Sequence, residues 1–178
     1  MNWKEDVRKG LASGFYASML SVTMLIARGR REVGSVHAAT NATSHWAWGD
    51  VAGRRNLFSP KYTLTGYAIH HVCSTFCAVL HEAVLARMLI SAKKSGREDI
   101  ADTPSASKSP PIAIPLATAT AVTAFACFAD YRLTPPRLRP GYEMRLSRKS
   151  MAAVYVASGA GLFLAATVAR RTRPAKPS

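Results

Sequence analysis

Hydrophobic positions in this chain fall in long uncharged blocks separated by short basic segments. Leu11 to Ala27, Pro111 to Ala129 and Ser150 to Ala169 contain no Asp, Glu, Lys or Arg. Each approaches the ~20 apolar residues that a helix needs to cross a bilayer core. A fourth block, about Tyr62 to Ile90, is long enough to cross as well, although polar side chains interrupt it. The pattern predicts an all-α integral membrane protein in one membrane domain, with four transmembrane helices over about 11–27, 62–90, 111–129 and 150–169. A soluble bundle fits poorly, because three such runs would leave little polar surface for water. The first block is long for a removable signal peptide and is followed by "RGRREVG" instead of a small-residue cleavage site, so it reads as the first span.

Between the first two spans lies "VGSVHAATNATSHWAWGD", residues 33–50, which has no full charge before Asp50 but is rich in Ser, Thr, Asn, His and Trp. It is too polar for a span, and Trp46 and Trp48 prefer the headgroup level. An interfacial or re-entrant helix is therefore expected here. If the segment crossed, the chain would have five spans and its termini would lie on opposite sides. Asn41-Ala-Thr43 matches the glycosylation acceptor pattern, a weak signal in a membrane-associated segment. Residues 91–110, rich in Ser, Pro and charge, read as a flexible loop. Residues 130–150 read as an extended, rigid, proline-containing basic turn at the headgroups.

Small residues recur at helical spacing on three spans. Gly10, Gly14, Ser18 and Ser21 mark a close-contact face on the first, Ala113, Ala117, Ala121 and Ala124 on the third, and Ala153, Ala157, Gly161 and Ala165 on the fourth. Pro115 is expected to kink the third span and Asp130 to end it.

Composition changes the picture little. A hydrophobic share of 48% would suit a soluble protein, and only its distribution points to a bilayer. The net charge of +14 comes from Lys and Arg that flank the apolar spans. Anionic lipid headgroups are the expected partner, not nucleic acid, which calls for a basic stripe interleaved with aromatics. Four spans place eleven Lys and Arg on the side of the termini and twelve on the other, so the count assigns no orientation. Such a tie is also what insertion in both orientations would show. The three cysteines, Cys73, Cys77 and Cys127, all fall inside predicted spans and imply no disulfide framework.

The chemistry is concentrated in "GYAIHHVCSTFCAVLHE", residues 66–82. Helical spacing puts His70, Cys73, Cys77 and His81 on one stripe, with His71, Thr75 and Glu82 beside it. A charged side chain at the centre of a span costs about 2.5–3.5 kcal/mol, so this face must meet protein, water or a cofactor. Metal binding would draw on Cys73, Cys77 and His81, but His70 and His81 lie about 16 Å apart along the axis, too far to share an ion. Haem would use His70, His71 or His81 as an axial ligand, with no partner histidine on another span. A proton or cation path would run through Glu82 and the histidines. The plainest reading is hydrogen bonding to Ser and Thr on neighbouring helices.

The segments "NATSHWAWGD", "YTLTGYAIHH" and "DYRLTPPRLRPGYEMRLS" together resemble a group of small uncharacterised bacterial inner-membrane proteins, over roughly residues 35–160. The resemblance implies a bacterial cytoplasmic membrane and carries no activity. His45, Trp46, Trp48, Asp50, Asp130 and Arg132 are the interfacial positions of interest, with either acid expected to pair with a neighbouring Arg. The 41–50 segment is expected to fold back over the histidine-rich end of span two. No nucleophile elbow, phosphate loop, HExxH or CxxC is present, so an enzyme is not expected. Two classes remain: a structural or accessory subunit, in a homo-oligomer or larger complex, and a small proton- or cation-linked transporter or channel.

Overall fold

Alternating apolar blocks and basic links give a bundle of long helices, and a computed structural model describes residues 3–99 and 112–171 of it. The helices are α1 (Trp3–Val33), α2 (Ala38–Thr43), α3 (His45–Trp48), α4 (Thr65–Asp99), α5 (Ala113–Phe128) and α6 (Arg148–Arg171), with no strand among the described residues. Four stretches are long and apolar enough to cross a membrane: Val7–Val33, Pro60–Ser95, Ala113–Leu133 and Arg148–Ala169.

The helices run past the apolar blocks. α1 continues through Arg28, Arg30 and Arg31 and stops before Gly34, whose φ of 68° lies in the left-handed region. α4 begins in a π-helical turn, Pro60–Leu64, and extends to Asp99. The expected loop over 91–110 is thus helical as far as 99, because Ala, Lys, Arg and Glu are good helix formers and no proline intervenes. Residues 100–110 of that loop, and 172–178 of the basic tail, lie outside the described residues. Pro115 produces no mid-helix kink: it sits in the first turn of α5, where a missing N–H costs no hydrogen bond. Asp130 does not end that helix either, since a π-helical turn, Ala129–Leu133, carries it on.

Glycine and serine let the first span pack closely. The buried face of α1 is Gly10, Ser13, Gly14, Ala17, Ser18, Ser21 and Leu25. A Cβ on Gly14 would lie 2.6 Å from Thr75 Oγ1 on α4, and one on Gly161 of α6 would lie 2.5 Å from Ala17 Cα. Close backbone approach is what small-residue faces permit. On α5 the expected face is reversed. Ala113, Ala117, Ala121 and Ala124 are exposed, while Pro115, Thr118, Ala119 and Thr123 are buried. The hydroxyls of Thr118 and Thr123 bond back to carbonyls of their own helix, Ile114 at 2.9 Å and Ala119 at 2.8 Å, which makes the threonine face fit to bury.

The two links at the far end of the bundle from the termini fold inward. Ala38 to His45 are all buried, so the 33–50 segment enters the protein instead of lying flat on its surface. Tyr142, in the 130–147 link, joins Leu25, Ala39, Leu146 and Val154 in a core cluster. That link is therefore a packed element with two short 3-10 turns, Pro136–Leu138 and Tyr142–Met144, not an extended turn. Glu32 fastens it to α1 by accepting from Ser147 N at 2.6 Å and Ser147 Oγ at 2.7 Å at the start of α6, where an anion is favoured.

Overpacking the helix seam separates the two kinds of face. Gly161→Leu is expected to cost about 1–3 kcal/mol, whereas Ala117→Leu should stay within about 0.5 kcal/mol. Thermal unfolding in detergent compares them, and an equal loss would contradict the outward placement of the α5 alanines.

Candidate functional site

The polar stripe of α4 divides into two groups at different depths. Toward the chain termini, Ser13 Oγ donates to Glu82 Oε1 at 2.6 Å, His81 Nδ1 lies 3.7 Å from the same oxygen, and His81 Nε2 is 3.3 Å from Thr118 Oγ1. His81 is fully buried and Glu82 nearly so. Three helices thus share one buried hydrogen-bonded knot. Toward the other end, His70 Nε2 lies 2.8 Å from Ser21 Oγ on α1. His71 turns away to stack on Tyr67, with ring centroids 5.9 Å apart.

The second group borders a cavity of about 340 Å³. His70, Cys73 and Cys77 of α4 form one wall, and Thr123, Ala126 and Asp130 of the α5 stretch form another. Tyr155 and Ser158 of α6 face them, while Trp46 and Tyr142 enter from the two infolded links. Asp130 Oδ2 accepts from the Tyr155 hydroxyl at 2.6 Å. The expected pairing of Asp50 or Asp130 with a neighbouring Arg is not among the ion pairs of the described residues, and Arg132 is exposed. Tyr131 and Tyr142 flank the Tyr155 ring with centroids at 6.3 and 6.4 Å. Burial holds the Tyr142 hydroxyl well above its ordinary range, so it is a neutral phenol.

The wall contributed by the 33–50 segment is itself anchored. Asn41 is fully buried; its Nδ2 donates to the carbonyls of Arg55 at 3.0 Å and Leu57 at 2.9 Å, and its Oδ1 accepts from Thr63 at 2.6 Å. An asparagine so engaged cannot be a glycosylation site. Trp46 Nε1 donates to Arg139 O at 2.7 Å, tying the two links together over the cavity. Gly66 packs directly on the Thr40 carbonyl, and Gly141, with φ 89°, packs on the His45 ring. The segment therefore folds back over the start of α4, as its sequence leads one to expect. His45 is buried against Ala42 O at 3.0 Å and is not interfacial, whereas Trp48 and Asp50 are exposed. Lys61 Nζ sits 4.3 Å from the Trp48 ring centroid.

These placements redistribute the expected chemistry. Among the described residues no group of three or more His, Cys, Asp or Glu could hold a metal ion. Cys73 and Cys77 border the cavity while His81 belongs to the knot, so the proposed trio is split. His70 is the one histidine on the cavity wall, which leaves a haem without a second axial imidazole. Sequence reasoning missed Tyr155, Tyr142 and Thr123. The available signal was Tyr155 itself, an aromatic with a polar tip inside an uncharged span, where its hydroxyl needs a partner.

Asn41→Ala should destabilise the protein by about 2–4 kcal/mol, because three hydrogen bonds are lost and buried carbonyls stay unpaired. Thermal unfolding measures this, and a loss below about 0.5 kcal/mol would contradict the anchoring role. Comparison with protein-family models, with curated proteins and with solved structures gives no match for this chain, so its geometry alone carries the functional reading.

Proposed function

We propose that this is a four-span membrane protein that binds a small ligand in the cavity between α4, α5 and α6, in the manner of a small transporter. The observation that carries the reading is the convergence of His70, Cys73 and Cys77 with Asp130 and Tyr155 around about 340 Å³ of space. Small-molecule sites are clefts of about 300–1,000 Å³ with mostly apolar walls and a few placed polar groups. Asp130 lies in the last turn of a span-length stretch, and an acid within such a stretch marks substrate or ion pathways. The bilayer in question is a bacterial cytoplasmic membrane on the resemblance described above, and the basic links suit its anionic headgroups.

The histidine and glutamate of the knot serve this function indirectly. Ser13 bonds to Glu82 and Thr118 to His81, so α4 is tied to α1 and to α5 at adjacent residues. They hold the far half of the bundle closed, so that the cavity has a floor. Metal and haem chemistry are not part of the proposal, since the ligands for either do not converge.

A second reading, that of an accessory subunit in a homo-oligomer or larger assembly, is favoured by one feature. The outward Ala113, Ala117, Ala121 and Ala124 of α5 form a smooth face on which another helix could pack.

Two variants distinguish the readings in a strain whose growth depends on this protein. His70→Gln with Asp130→Asn keeps the cavity's shape and removes its chemistry; it should abolish complementation at normal protein abundance. Ala117→Leu with Ala121→Leu should complement fully. The opposite pattern would overturn ligand binding in favour of the accessory role.

A further inference from the structure

Resting on the ligand-binding reading, we propose that the cavity takes a hydrophobic organic cation, a substituted ammonium of about the size of phenyltrimethylammonium. The chemistry of the wall points to positive charge. Among the described residues Asp130 is the one carboxylate lining it and no Lys or Arg lines it, although the chain as a whole carries a net charge of +14. The one basic side chain on the wall is His70, whose Nε2 is engaged with Ser21 Oγ at 2.8 Å. The carboxylate takes only the neutral Tyr155 hydroxyl as its recorded hydrogen-bond donor.

The remaining surface selects the kind of cation. Trp46, Tyr142 and Tyr155 are among the lining residues, and aromatic side chains attract quaternary ammonium groups through their ring quadrupoles. They are held rigidly: Trp46 by its bond to Arg139 O, Tyr155 by Asp130, and Tyr142 by the core around Leu25 and Val154. A fixed aromatic wall loses little freedom on binding. A hard inorganic cation is served badly here, because Ca²⁺ or Mg²⁺ wants six or more oxygen ligands and this wall offers one carboxylate with scattered hydroxyls. Apolar positions such as Ile69, Ala126 and Val154 complete a lining suited to the hydrocarbon part of the ligand.

The test uses the full-length protein in lipid nanodiscs and radiolabelled phenyltrimethylammonium. Saturable binding is expected, weakened at least tenfold by Asp130→Asn, which keeps an oxygen for Tyr155. Benzenesulfonate, similar in bulk and opposite in charge, should not compete. Ser158→Trp fills the cavity with Asp130 intact and should also abolish binding, which guards against misfolding of the first variant. Binding unaffected by either substitution, or competition by the sulfonate, overturns the inference. A parallel measurement follows alkylation of Cys77 by N-ethylmaleimide in protein carrying Cys73→Ser and Cys127→Ser, with tert-butylbenzene as a neutral ligand of the same shape. Protection by tert-butylbenzene without cation binding overturns the inference and leaves a ligand cavity standing. Loss of both removes the cavity reading as well.

Discussion

Burying Glu82 and His81 within a span-length helix is tolerable only if neighbouring helices bring hydroxyls to them, and the whole bundle is arranged around that demand. Ser13 on α1 and Thr118 on α5 answer it at one depth, and Ser21 answers His70 at another. Both serines lie on the same face of α1 as Gly10, Gly14 and Ala17, so the hydrogen bonds and the close backbone contact reinforce each other. An unpaired donor or acceptor in this interior would cost about 1–3 kcal/mol, more if charged. Small residues bring the helices near enough to avoid that cost at Glu82, His70 and His81 Nε2, while His81 Nδ1 and Ser18 Oγ are left without a hydrogen-bond partner.

The same constraint explains why the polar stripe is not one site. Its 11-residue length spreads His70 and His81 over about three turns, so different neighbours meet each end. Near the termini the neighbours are hydroxyl-bearing helices, and the result is a closed knot. At the opposite end α4 meets Asp130, Tyr155 and two infolded links, and space is left between them. The links do more than connect spans: Trp46 and Tyr142 line the cavity, and Asn41 and Gly141 hold the links in place by specific contacts.

Four helices of span length, the fold-back of residues 41–50 and the packing faces of α1 and α6 are legible in the sequence, because each follows from periodicity and residue size. The α5 face is not. Alanine and threonine at alternating helical positions give nearly equal apolarity on both sides, and threonine can satisfy its hydroxyl within its own helix, so either face could be buried. The cavity is also illegible. Asp130 sits at the margin of an uncharged block and reads as a helix end, yet one further π-helical turn places it beside Tyr155, 25 residues away in sequence. Long-range pairings of that kind depend on the register between helices, which single-helix patterns do not contain. The stripe itself is legible as a face that must avoid lipid, and its division between knot and cavity depends on what the other helices bring.

The central claim is that hydrogen bonds from α1 hold the polar face of α4, and a double-mutant cycle on Ser13 and Glu82 tests it most directly. Stabilities of Ser13→Ala, Glu82→Met and the double variant, measured by unfolding in detergent, yield the coupling between the two side chains, because methionine keeps the length of the side chain and removes both carboxylate oxygens. A coupling of about 1–3 kcal/mol is expected for a buried bond to a carboxylate. Additive losses, with no coupling, would contradict the account.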